Sequence, residues 1–237
     1  MKAKSKWLSV LDVVTIVLFL TATLMVFFYA PLERVMGLVQ KVFYFHVATA
    51  WIGMLGFFVA MVAGIIYLAT HRTRPDASKW DIVALAGVEI GLVFTLICIV
   101  TGSIWARPIW NSWWTWDPRL TTVTIMELAY AAYLMLRAGI EDPERRARFG
   151  AVYSIVAFIS VPLTFFSIRI WRTIHPVVIG SGDPTASGAF DMTAKMGLTF
   201  ALSLVAFSFI FVTLLWHRIR MGHLAEKVEQ LKLRLTQ

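Results

Sequence analysis

Six apolar segments, each long enough to cross a lipid bilayer, constrain this chain more than any other feature of its sequence. A hydrocarbon core about 30 Å thick is crossed by about 20 residues of α-helix. The chain meets that length at residues 9–30, 42–69, 82–104, 120–138, 150–168 and 194–216. None of these segments alternates between apolar and polar residues as a barrel strand does. The sequence therefore predicts an all-α integral membrane protein with six transmembrane helices.

The composition excludes the common soluble classes. Of the 237 residues, 59% are hydrophobic and 15% are charged, whereas a soluble domain has about 45–50% and about 25%. In a membrane protein the net charge of +8 reports topology, so we expect contact with membrane lipids and none with nucleic acid. The single cysteine, Cys98, permits no intrachain disulfide, and no C-x-x-C-H motif is present for covalent haem attachment.

Lysine and arginine predict the orientation of the chain. The N-terminus, residues 70–81, residues 137–148 and the tail hold 15 of the 22 basic residues, and the segments between them hold seven. By the positive-inside rule both termini are cytoplasmic. The basic start, Met1 to Trp7, resembles the beginning of a signal peptide, but the apolar run behind it is too long and lacks an A-x-A site. We therefore interpret it as an uncleaved first span.

The chain divides into a transmembrane domain, residues 1–216, and a cytoplasmic amphipathic tail, residues 217–237. Leu224, Val228, Leu231 and Leu235 form one apolar stripe on the tail. Two interpretations stay open: a continuation of the last span on the membrane surface, and a docking helix for a partner protein.

Tryptophan is concentrated on the predicted outer side, in a loop between the third and fourth helices. Six of the ten tryptophans lie on that side: Trp105, Trp110, Trp113, Trp114, Trp116 and Trp171. An aromatic belt spreads its tryptophans over many helix ends on both membrane faces. Five within twelve residues instead favour a flat aromatic platform that stacks against a large planar ligand.

Two histidines share this outer surface. His46 lies near the start of the second span and His175 lies in the last outer loop. Neutral imidazole is a good axial ligand for haem iron. The pair therefore indicates bis-histidine coordination of non-covalent haem b. Because no histidine lies in the middle of a span, the sequence favours haem handling at the outer surface over electron transfer through the membrane.

Charged residues around the tryptophans have competing interpretations. Arg107, Arg119, Arg169 and Arg172 could pair with haem propionates, or with Asp117 or lipid headgroups. Asp117-Pro118 predicts an N-cap that begins the fourth helix, which is a structural role for Asp117. Acidic residues within the spans are functional candidates without an assigned role: Asp12, Glu89 and Glu127.

The chain lacks the motifs of several enzyme classes: G-x-x-x-x-G-K-[ST], G-x-S-x-G, H-E-x-x-H and C-x-x-C. This favours a haem-binding transfer protein over an enzyme with its own active site. Two alternatives remain, a membrane redox protein that uses haem or quinone, and a permease that carries haem across the bilayer.

The stretch Trp105 to Thr121, which ends Trp113-Trp-Thr-Trp-Asp-Pro-Arg-Leu-Thr121, resembles the "WWD" signature of the haem-handling proteins of cytochrome c biogenesis. The chain length, six spans and one outer histidine on each side of the motif resemble the haem exporter protein C (CcmC) family. Ala106 and Pro118 depart from the usual pattern at positions that affect the loop backbone more than stacking.

The resemblance implies a protein of the bacterial inner membrane whose functional face is periplasmic. It implies delivery of haem to the haem chaperone CcmE, in company with CcmA, CcmB and CcmD of an ABC-type complex. It also implies His46 and His175 as axial iron ligands. The implied haem-binding residues are His46, His175, Trp105, Trp110, Trp113, Trp114, Trp116, Asp117, Arg119, Trp171 and Arg172.

Overall fold

The computed structural model describes residues 6–34, 36–74, 76–176 and 192–235, and within these it contains seven α-helices. They are α1 (Lys6–Leu24, continued by a π-helical turn over Met25–Tyr29), α2 (Gln40–Thr70), α3 (Ser78–Trp110), α4 (Pro118–Ala138), α5 (Pro143–Ala157), α6 (Ser160–Ile170) and α7 (Ala194–Leu235). The predicted all-α class is confirmed. Parts of the predicted basic N-terminus, last outer loop and tail lie outside the described residues: 1–5, 177–191 and 236–237.

Five helical stretches in the described part of the chain are long and apolar enough to cross a membrane: Lys6–Tyr29, Gln40–Thr70, Ser78–Trp110, Pro143–Ile170 and Ala194–Lys232. The protein is therefore of the multi-pass membrane type. Helix α4, which covers the predicted fourth span, is 21 residues long but does not belong to this group. Arg119, Glu127 and several threonines make it more polar than the other five stretches.

Two helix boundaries differ from the sequence-based prediction. Helix α3 continues to Trp110, beyond the predicted end at 104, and stops where Asn111 adopts a left-handed conformation with φ 53°. Asparagine tolerates that conformation better than most residues. The predicted fifth span is divided into α5 and α6 at Phe158-Ile159. Pro162 accounts for this break because it has no N–H to donate and its ring crowds the carbonyl four residues earlier.

Helices α2 and α3 form the centre of the bundle and pack unusually closely. A Cβ atom added to Gly56 would lie 2.6 Å from the carbonyl oxygen of Gly87, and one added to Gly87 would lie 2.7 Å from that of Gly56. Only glycine allows two helix backbones to approach this far. Phe57, Tyr130 and Val161 then fill the layer between these helices and α4, α5 and α6.

Two of the three acidic residues in the predicted spans pair with residues of α7 that directly follow Trp216. Asp12 accepts a hydrogen bond from His217 at 2.8 Å, and Glu89 forms a bidentate pair with Arg218. The third acid, Glu127, has a buried Oε2 atom without a hydrogen-bond partner among the described residues. These side-chain contacts join α7 to α1 and α3 where its charged half begins, and α7 continues unbroken to Leu235.

Candidate functional site

A cavity of about 220 Å³ opens among α2, α3, α4, α6 and α7, at the end of the bundle that carries the tryptophan-rich segment. This exceeds the ~150 Å³ apolar cavity that admits benzene in a well-studied case. Its walls are mainly apolar, and it reaches from His46 down to Met54, about 12 Å along α2 at 1.5 Å per residue. The predicted exposed platform is therefore replaced by a cavity that penetrates the bundle.

His46 enters this cavity from the second turn of α2. Its Nδ1 atom lies 3.0 Å from the carbonyl oxygen of Cys98 on α3. Because a carbonyl only accepts hydrogen bonds, Nδ1 must carry the proton. The lone pair is then on Nε2, the nitrogen that remains for a metal.

His175 enters the same cavity from the segment that follows α6. Its Nδ1 atom lies 3.0 Å from the carbonyl oxygen of Pro176, so the same argument assigns the proton to Nδ1 and the lone pair to Nε2. The structure thus brings together two histidines that are 129 positions apart in the sequence. Both present the tautomer that suits a metal ligand.

Electrostatics keep His175 neutral. Desolvation, with smaller contributions from the positive charge of Arg119 and the proximity of His46, lowers the pKa of His175 from 6.5 to about 3. An imidazole with this pKa carries no proton on Nε2 at neutral pH. It is therefore available to coordinate a metal without first releasing a proton.

The tryptophans do not form the flat platform that the sequence suggested. Trp105 and Trp110 lie on α3, five residues apart, and their ring centres are 5.2 Å apart. Their rings meet edge to face at 88°, and those of Trp114 and Trp116 meet at 83°. The rings of His175 and Trp110 are inclined at 65°, with centres 6.4 Å apart. The aromatic surface is a set of angled walls.

The predicted tryptophan contacts divide into two groups. Trp105, Trp110 and Trp114 line the cavity. Trp113, Trp116 and Trp171 are exposed by 59%, 74% and 44% and are not among the lining residues. They stand on the outer surface around the cavity, where the aromatic residues of a membrane interface are usually found.

Two arginines line the cavity, Arg119 and Arg169. The guanidinium of Arg119 donates hydrogen bonds to the carbonyl oxygens of Thr164 and Phe165 on α6, so it ties α4 to α6 while lining the cavity. Arg107 instead donates to Asn111 at the end of α3, at 2.8 and 2.7 Å. Arg172 is exposed and does not line the cavity.

Asp117 begins α4 as predicted. Its side chain accepts a hydrogen bond from the backbone N–H of Arg119 at 3.0 Å, and Pro118 takes the first helical position. Asp117 is buried and does not line the cavity. Its remaining hydrogen bonds reach the segment that carries His175.

Polar atoms at the cavity suit a polar-edged organic ligand. The indole N–H of Trp110 and the hydroxyls of Thr95 and Thr164 are buried and have no hydrogen-bond partner among the described residues, and all three residues line the cavity. A buried polar group without a partner costs about 1–3 kcal/mol. Haem, with an apolar macrocycle, carboxylate edges and an iron that takes nitrogen ligands, fits this set of residues.

Sequence reasoning missed several wall residues. Trp51 lines the cavity from α2 and donates its indole N–H to Ser208 on α7 at 3.0 Å. Gly102 lies against the His46 ring. The spacing of Trp51, five residues after His46, and a glycine inside an apolar span were weak signals. These two signals do not show which side of a helix faces a ligand, because that side is decided by how the neighbouring helices pack.

Comparison with known proteins identifies related chains. The family model described as "CcmC: Heme exporter protein C" matches residues 1–234. A Heme exporter protein C of Bradyrhizobium diazoefficiens is 33% identical over 86% of this chain and 74% of its own length. The protein of that name from Rhodobacter capsulatus is 31% identical over 88% and 83%. The one from Escherichia coli K12 is 29% identical over 71% and 66%.

Proposed function

This chain belongs to the heme exporter protein C family, and we propose that it holds haem b non-covalently in the cavity between His46 and His175. The family supports a role in haem handling for cytochrome c maturation. One observation carries the proposal: two histidines from distant parts of the chain line one cavity, and each has its Nδ1 proton engaged by a carbonyl.

We propose His46 and His175 as the two axial ligands. When bound, haem iron supplies two coordination positions perpendicular to the ring plane, and imidazole nitrogen fills them well. Cys98 and Pro176 orient the two rings through their carbonyl oxygens. Hydrogen bonds of this kind fix the tautomer and direction of a ligand histidine.

The walls supply the rest of the binding energy in this proposal. Trp105, Trp110 and Trp114 cover apolar surface of the macrocycle and exclude water from it. Arg119 and Arg169 stand where they can neutralise the propionates, since a guanidinium favours bidentate contact with a carboxylate. Five predicted site residues do not line the cavity, and we assign them a supporting role around it: the exposed Trp113, Trp116, Trp171 and Arg172, and the buried Asp117.

We propose that α4 is the sixth span and that both termini are cytoplasmic. The α4 helix is 21 residues long, which meets the required length, and it packs against α3, α5 and α6. The excess of basic residues in the alternate segments supports this orientation. The cavity then faces the periplasm from the inner membrane, and the tail of residues 217–237 extends α7 into the cytoplasm.

In this arrangement the protein delivers its haem outward, to the haem chaperone CcmE, as a member of a complex with CcmA, CcmB and CcmD. We assign the contact with CcmE to the surface formed by the exposed tryptophans around the cavity. Trp113 and Trp116 are the two tryptophans of the tryptophan-rich segment that are most exposed. Tryptophan is enriched among the residues that dominate the binding energy of protein interfaces.

A haem titration of the detergent-purified protein tests the proposal. We expect a Soret band with bis-histidine character, a haem b pyridine haemochrome and full extraction of the haem into acidified organic solvent. His46→Ala and His175→Ala should each weaken haem binding strongly, and should abolish transfer to purified CcmE. His71→Ala is the matched control, because His71 is the C-cap of α2, bonds the backbone carbonyl of Leu68 through Nδ1 and does not line the cavity. Wild-type haem affinity in both site variants would contradict the proposal.

A further inference from the structure

The carboxylate of Asp117 does more than cap a helix. Its Oδ1 atom accepts the backbone N–H of Arg119 at 3.0 Å and the hydroxyl of Thr173 at 2.6 Å, and its Oδ2 atom accepts the backbone N–H of Ile174 at 2.9 Å. An N-cap needs only the first of these bonds. The other two reach 56 and 57 residues along the chain, to the segment that carries His175.

Thr173 extends this set of bonds to His175 itself. Its hydroxyl donates to Asp117 and accepts the backbone N–H of His175 at 3.0 Å. The backbone N–H groups of two consecutive residues, Ile174 and His175, are thus held by Asp117, the first directly and the second through one hydroxyl. Bonds to an ionised, buried carboxylate are about twice as strong as those between neutral groups.

The segment that carries His175 needs this support because no regular structure holds it. Helix α6 ends at Ile170, and residues 171–176 are neither helix nor strand. Outside regular structure, side-chain hydrogen bonds must provide the rigidity that a ligand requires. Asp117 lies three residues after Trp114, which lines the cavity. The carboxylate therefore joins a wall of the cavity to the segment that bears the second histidine.

We propose that Asp117, with Thr173, is the positioning residue for His175. Asp117 does not touch the ligand, and it places the His175 imidazole against the cavity by fixing the backbone at 174 and 175. The proposal rests on the proposed function in taking His175 as an iron ligand. The hydrogen bonds of Asp117 can be probed in samples without haem, so the two proposals can be tested separately.

Asp117→Asn separates the cap from the positioning role. Asparagine is as good an N-cap as aspartate, so α4 should still begin at Pro118. Its amide has only one acceptor oxygen, and its NH2 group would face the N–H of Ile174 as donor to donor. Asp142→Asn is the matched control, because Asp142 caps α5 by accepting the N–H of Arg145 at 2.7 Å and is also followed by a proline.

The first measurement uses the haem-free protein. Arg172 is exposed, and trypsin cleavage after it requires residues 173–175 to open from Asp117. We expect Asp117→Asn to raise the rate of this cleavage at least about ten-fold, as the loss of one charge-assisted bond would. The cleavage rate should rise less in Thr173→Val. It should stay at the wild-type value in Thr173→Ser, which keeps the hydroxyl, and in Asp142→Asn. An unchanged rate in both Asp117→Asn and Thr173→Val overturns the proposal.

The second measurement is a double-mutant cycle on haem affinity. Asp117→Asn should weaken haem binding about ten-fold or more and give the Soret spectrum of His175→Ala. It should cause no further loss when His175 is already alanine, but an additive loss with His46→Ala. If Asp117→Asn adds its full loss of haem affinity to His175→Ala as well as to His46→Ala, the positioning role is overturned. If His175→Ala itself leaves haem binding unchanged, the ligand assignment fails, while the trypsin result still decides whether Asp117 holds the segment.

Discussion

The contact between Gly102 and His46 gives the sharpest test of the site. A Cβ atom added to Gly102 would lie 2.8 Å from Cε1 of His46, and ordinary van der Waals contact begins at 3.4 Å. In Gly102→Ala the imidazole or the α3 backbone must therefore shift, by about 0.6 Å if the contact is to return from 2.8 to 3.4 Å. Metal–ligand distances tolerate only about 0.2 Å. The substitution adds one methyl group on α3 and leaves both histidines in place.

The expected loss of haem affinity follows from this displacement. Disturbing the groups that orient a metal ligand typically costs 10–100-fold in affinity, which corresponds to about 1.4–2.8 kcal/mol. We expect Gly102→Ala to lie in that range and to lose bis-histidine character, measured by Soret titration of the purified protein with haemin. The control is Gly139→Ala, where the nearest atoms lie 3.7 Å away and φ is −84°, and this variant should bind haem as the wild type does. An unchanged affinity and spectrum in Gly102→Ala would refute both the position of His46 and its role as a ligand.

Three further predictions concern pH, the walls and the helix packing. Because the pKa of His175 is about 3, protons should not compete with iron for it between pH 7.5 and 5, whereas an ordinary histidine of pKa about 6.5 would bind roughly 30-fold more weakly at pH 5. A Soret titration across this range checks the expectation, and a 30-fold loss would contradict the neutral imidazole. Trp114→Leu should weaken haem binding about ten-fold or more and Trp113→Leu much less, since only Trp114 lines the cavity; equal losses would show that the ligand sits on the outer surface. Gly56→Ala should lower the thermal stability of the purified protein in detergent, since its Cβ would lie 2.6 Å from a backbone carbonyl of α3; an unchanged melting temperature would contradict the close approach of α2 and α3.

The sequence predicted the elements of the fold that depend on local composition. The apolar segments, the all-α class and the start of α4 at Asp117-Pro118 all follow from residues that are neighbours in the chain, and the structure confirms them. The end of α3 was placed too early because tryptophans and Pro108 resemble a loop by composition. In the structure those residues continue the helix until Asn111 ends it.

The sequence places the two histidines at one end of the bundle but does not give the shape of the cavity, and their role as haem ligands stays a prediction. His46 and His175 were chosen because they share a predicted membrane face, and they do line one cavity. Which tryptophans line it could not be predicted, because that depends on how α3 is rotated against α2 and α4. Trp105 and Trp110 turn inward while Trp113 and Trp116 remain exposed.

By itself the sequence determined that the chain must satisfy its backbone within apolar helices, since a bilayer offers no water to do so. It also placed tryptophans and histidines at the same end of those helices. Only the tertiary structure decided that Gly102 lies against the ring of His46, and that the carboxylate of Asp117 holds the segment of His175. The physical reason is that hydropathy and helix capping act between neighbouring residues, whereas these contacts join residues more than fifty positions apart. Such contacts exist only after the helices have packed.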